Sequence, residues 1–101
     1  MATTSKKLFR GAATTNVATV LYTVPSATTT VVTNLIVANT AATSGTFDMS
    51  LAGVKIADDV SVAANTIAVF DFKQVLDATE TITGGASATT INFHISGVEI
   101  A

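Results

Sequence analysis

The chain has 101 residues, enough for one domain with a real core and too few for two. Apolar residues make up 49% of it and charged residues 12%, with a formal net charge of −2 and no cysteine. That balance excludes disulfide or thiolate-metal stapling, gives no general pull toward nucleic acid or anionic membranes, and leaves apolar surface short of a polar coat.

In chain order, residues 1–17 come first as a basic, flexible N-terminal arm, ahead of a β-domain at 18–101. Lys6, Lys7 and Arg10 hold three of the five basic residues, while all seven acids fall later against only Lys55 and Lys73. An arm carrying Phe9 among those cations suits docking on an acidic neighbouring subunit. Gly11 to Asn16 reads as a flexible connector. No apolar run follows the basic pair, so a secretory signal is not expected, and no stretch approaches the ~18 apolar residues of a membrane helix.

The rest is written in strands. Threonine, valine, isoleucine and alanine dominate, and side chains branched at Cβ fit a pleated, half-buried surface. The predicted strands are 18–24, 29–39, 45–52, 54–57, 59–63, 66–72, 79–83 and 89–100. Phe47, Met49 and Leu51 alternate with polar residues, as do Ile91, Phe93 and Ile95, each giving one core face. Residues 30–38 and 66–72 are apolar on both faces. Val32 and Ile36 lie on the second face of the former, Phe70 and Phe72 on one face of the latter. A strand apolar on both sides belongs inside a thick structure or against another molecule, and in so short a chain the second explanation is preferred. Turns are expected at Pro25-Ser26, residues 42–45, Ala52-Gly53, Ala64-Asn65 and residues 84–87, with a bulge or bend at Gly97. One helical turn fits at 73–78. Turn signals every ~8–12 residues predict an all-β fold, a single antiparallel β-sandwich or jelly roll.

Templates for chemistry fail early. The only histidine, His94, sits on the polar face of its strand with no second histidine or cysteine for a zinc site or a nucleophile–base pair. Asp58-Asp59 is the only adjacent acid pair; Asp71 or Asp77 would have to complete a calcium site, and the spacing matches no calcium loop. There is no phosphate-binding glycine loop. No cofactor, metal or catalytic residue is expected, and the chain is read as a non-enzyme. A glycan-binding surface remains an alternative, with one tyrosine and no tryptophan to stack on sugar rings.

The order of segments carries a resemblance. Leu21-Tyr22-Thr23-Val24-Pro25, then Thr28-Thr29-Thr30-Val31-Val32, then Leu35-Ile36-Val37-Ala38-Asn39-Thr40, then Val62-Ala63-Ala64-Asn65-Thr66, then Val75-Leu76-Asp77-Ala78-Thr79-Glu80-Thr81-Ile82, and finally Phe93-His94-Ile95-Ser96-Gly97-Val98-Glu99-Ile100 resemble small virion structural proteins of tailed bacteriophages. The resemblance covers residues 20–101 and rests on strands and turns. It implies a particle component present in many copies, folded in the host cytoplasm and carried in the virion, where many weak contacts add up to tight retention. The expected function is capsid decoration or cementing; a neck, tail or fibre-base position is the alternative. The expected partners are the chain itself, as a homo-oligomer with a trimer among the options, and the major capsid protein. Lys6, Lys7, Phe9 and Arg10 are the expected arm contacts; Val32, Ile36, Phe70 and Phe72 are the expected packing surface.

Overall fold

The computed structural model describes residues 3–101. Eight strands are formed: β1 (Thr3–Ala12), β2 (Val20–Thr23), β3 (Thr29–Asn39), β4 (Gly45–Leu51), β5 (Val54–Val62), β6 (Thr66–Leu76), β7 (Thr81–Ala86) and β8 (Ile91–Ile100). One sheet runs β1-β8-β3-β6 and the other β2-β7-β4-β5, and all the pairings are antiparallel. First pairs with last, second with seventh, third with sixth and fourth with fifth. That is the strand order of a jelly roll, so the expected fold class holds.

Alternation explains the core. Phe47, Met49 and Leu51 from one sheet meet Phe93, Ile95 and Leu35 from the other, all buried. The Phe47 ring packs on Phe70 and Phe93 with centroids 5.8 and 5.9 Å apart, tilted and edge-on, an arrangement aromatic quadrupoles favour.

Several expectations are corrected. Residues 3–12 are not a loose arm but a ten-residue edge strand, registered on β8 from Thr3↔Ile100 to Ala12↔Asn92. Residues 1–2 of that arm lie outside the described residues. The physical reason is Leu8, which drops into the core while Phe9 packs against it. Residues 54–57 and 59–63 are one bulged strand, β5. The helical turn allowed at 73–78 is absent, because β6 continues to Leu76. Gly84-Gly85 is no turn; it lies inside β7. Glycine is needed there because a Cβ on Gly85 would come within 2.6 Å of the Asn16 carbonyl oxygen, in a loop folded over β7.

Val32 is the sharpest correction. It is 1% exposed, in the core and not on a packing surface. Thr33 is an extra residue against β8, so the buried positions of β3 run Thr30, Val32, then Leu35, Val37 and Asn39; against β6 the register shifts at the same place, with the extra residue on β6 between Asp71 and Gln74. The line of irregularity crosses the sheet. β1 carries its own extra residue at Leu8, opposite the same stretch of β8. At the centre sits Gly97, where a Cβ would overlap the Val31 carbonyl oxygen and come within 2.8 Å of Leu8. The bulge expected in the last strand at Gly97 is thus not in β8, which runs unbroken past it, but in its neighbours, as the extra residues Leu8 of β1 and Thr33 of β3.

Candidate functional site: an apolar edge and cleft on the β5–β6 side

A sandwich has two open sides, and here they differ. On one, β1 and β2 are the edge strands; on the other, β6 and β5.

The β1–β2 side is tied by polar groups. Tyr22 of β2 donates its hydroxyl hydrogen to the Glu99 carboxylate of β8, and thus accepts from the Thr30 hydroxyl of β3 at 2.8 Å. Lys6 reaches the same carboxylate at 3.3 Å. Burial, helped by the hydrogen bond to Glu99, pushes the Tyr22 phenol up to about 12. That same bond, with Lys6 behind it, holds Glu99 below the usual carboxylate range. Tyr22 comes from the first segment of the phage resemblance and Glu99 from the last. Asn39 and Asn65, from its middle segments, meet at the opposite end of the barrel axis. The buried Asn39 amide donates to the Thr43 and Val62 carbonyls, and the Ala41 carbonyl accepts from Asn65 N–H at 3.0 Å. These segments hold the fold together.

The β5–β6 side is apolar. Between the two edges lies a cleft of about 300 Å³, lined by Phe70, Phe72, Ile56, Val60 and Ala57, with Gln74 at its rim. Outside it, β6 presents Ile67, Val69 and Val75 at 62%, 58% and 63% exposure. Single exposed apolar residues are ordinary; three along one edge strand beside an apolar cleft form a patch of the kind partners cover. Asp71 and Lys73 lie between them, both exposed, and neither joins an ion pair among the described residues.

The patch continues across the outer face of the first sheet in cross-strand rows. Arg10, His94, Ile36 and Val69 make one row; Lys7, Ser96, Asn34 and Asp71 the next; Val98, Val31 and Val75 another. The face runs from basic at β1, through polar at β8, to apolar at β3 and β6.

The structure therefore divides the sequence-predicted site residues. Phe70 and Phe72 come together in the cleft. Ile36 and Arg10 share the outer face, with Lys7 one row away. Lys6 is engaged by Glu99, Phe9 packs on the core, and Val32 is inside it. Ile67, Val69 and Val75 were missed. The two-faced pattern of 66–72 was their signal, but periodicity alone does not say which face is covered.

The acids assemble differently from the expectation. Asp48, Asp58 and Asp59 bring carboxylate oxygens within 4.8 Å of one another, and Asp71 and Asp77 are not part of that group. Asp48 closes the β5 bulge by accepting from Asp59 N–H at 3.0 Å, where Asp59 has φ 50°. Lys55 places its ammonium 2.8 Å from Asp48 and 2.9 Å from Asp58. Those bonds pull Asp48 below the usual carboxylate range and raise Lys55, while the charges of Asp48 and Asp58 raise Asp59. A cation would compete with Lys55 for the same oxygens. The cluster works as a bulge clasp.

All six aromatic rings are buried or half-buried, so among the described residues no ring stands out as a platform for a sugar. No protein family matches the chain, and neither does any curated protein. Among solved structures, CBM35 from Paenibacillus barcinonensis overlaps it at a TM-score of 0.42 and 12% identity, covering 98% of this chain and 88% of that one. An overlap that loose carries no argument about function.

Proposed function

We propose that this chain is a structural protein of a bacteriophage virion, a decoration or cement component that acts through protein–protein contacts and without catalysis. The observation that carries the reading is the β6 edge: Ile67, Val69 and Val75 all more than half exposed beside the Phe70–Phe72 cleft. A chain with few charges and an apolar edge of this kind is stabilised by neighbours that cover it. The phage resemblance supports the particle setting, since its segments are the ones that build this scaffold. In that setting the host cytoplasm is where the chain folds, and the neighbours are further copies of the chain itself together with the capsid lattice on which they sit.

The test adds purified protein to capsids assembled without it. Saturable decoration over the capsid surface and a higher temperature of capsid disruption are expected. Label confined to one vertex or to the tail moves the protein to the neck, tail or fibre base. No binding to any part of the particle overturns the reading.

A further inference from the structure

The geometry points to a second copy of this chain as the occupant of the β6 edge, added as an antiparallel strand across a two-fold axis at Phe72; this deepens the reading of a self-associating structural protein and rests on it. The argument is the sequence of the edge itself. With the axis at Phe72, Asp71 of one copy faces Lys73 of the other, twice over. On the same outer face Val69 meets Val75, again twice. On the inner face Phe70 meets Gln74, and Phe72 meets its own mate at the mouth of the cleft. Opposite charges and branched apolar side chains directly across a strand pair are the stabilising combinations; like charges there are destabilising.

Neighbouring registers fail the same test. An axis at Asp71 sets that carboxylate against itself, and an axis at Lys73 does the same with two ammonium groups. The edge is also regular enough to be paired. Although β6 carries an extra residue relative to β3 between Asp71 and Gln74, its own alternation is unbroken. Phe70, Phe72 and Gln74 face the cleft, Leu76 is buried, and Val69, Asp71, Lys73 and Val75 are exposed. A lone lysine on an edge strand ordinarily blocks strand addition. Here Asp71, two residues away, turns that block into a self-complementary pair. An isologous contact of this kind closes on itself, joining the two β1-β8-β3-β6 sheets into one across the axis.

The experiment is molecular mass in solution by light scattering, on the full chain and on D71K, K73D and the D71K/K73D double swap. A dimer is expected for the native chain. Each single reversal sets like charges opposite each other at both symmetric positions and should weaken dimerisation at least about tenfold, and the double swap should restore it. Because the chain has no cysteine, V69C/V75C adds a covalent readout. Residues 69 and 75 of one copy lie about 20 Å apart along the strand, too far to bridge, whereas across the axis they come within disulfide reach. V69C/V75C should therefore oxidise to a covalent dimer and V69C alone should not. A native monomer, a native trimer, or a dimer that the double swap fails to rescue overturns the proposal. A monomer that still decorates capsids removes the two-fold edge and leaves the virion reading standing; a dimer with the expected charge response that binds no particle does the reverse.

Discussion

The two open sides of the sandwich solve one problem in opposite ways. At the β1–β2 side, Tyr22, Thr30, Glu99 and Lys6 bridge the sheets with hydrogen bonds and an ion pair, so the edge is finished within the chain. At the β5–β6 side the Asn39 amide of β3 reaches the Val62 carbonyl of β5 only at the strand ends, the cleft itself is lined by apolar side chains, and the β6 edge is left apolar. The difference separates residues that stabilise a single copy from residues that need another molecule. Changes on the first side should cost folding free energy, and changes on the second should cost association.

The largest effect should come from deleting residues 1–11. A docking arm would tolerate the loss, but here it strips β1 from β8 and withdraws Leu8 from the core. Loss of the cooperative unfolding transition by circular dichroism is expected; an unchanged melt would restore the arm. Next, Gly97→Ala forces a methyl group onto the Val31 carbonyl and the Leu8 side chain. Overpacking against backbone should cost about 3 kcal/mol, a fall in melting temperature of roughly 10–20 °C.

Tyr22→Phe comes third, at about 1–3 kcal/mol, because Glu99 loses a donor at a partly buried position. The pH dependence gives it a signature. The folded Tyr22 phenol titrates at about 12, above its ordinary 10, so its contribution is whole below pH 10 and fades as pH rises toward 12. Tyr22→Phe should remove that alkaline loss. Tyr22 is the only tyrosine and there is no tryptophan, so phenolate absorbance reports it directly. Glu99 runs the other way: its carboxyl is depressed when folded, so its contribution is present above the ordinary carboxylate range and is lost as pH falls through the lowered value.

The smallest effect on folding belongs to the open side. Val69→Thr with Val75→Thr keeps the branched shape at exposed positions and should shift stability by less than about 0.5 kcal/mol. The same pair should lose capsid retention and self-association. A variant that unfolds would show that this edge serves the core after all.

What the sequence made legible follows from what periodicity can see. In β4 and β8 one face is polar, so alternation names the buried side without help, and Phe47, Met49, Ile91, Phe93 and Ile95 are all inside. In β3 both faces are apolar and the Thr33 bulge swaps them halfway, so Val32 and Ile36, an even number apart, end on opposite sides. In β6 the two faces were separated correctly, but nothing local says that Phe70 and Phe72 turn inward and Ile67 and Val69 outward. That is decided by which sheet lies beneath. β1 escaped notice because an edge strand with a solvated outer face has the composition of a tail. Gly84-Gly85 misled for the converse reason: glycine marks close approach as well as turns.

The pairing of first strand with last also governs how the polypeptide is made. β8 is an inner strand, flanked by β1 and β3, yet it is the last of the eight to leave the ribosome. Until it arrives, β1 has no ladder to join and β3 lacks one neighbour, so half the barrel waits for its keystone. Nearly all the closing pairings are distant along the chain, which predicts slow, late folding, with the sticky β6 edge already synthesised and in reach of other nascent copies.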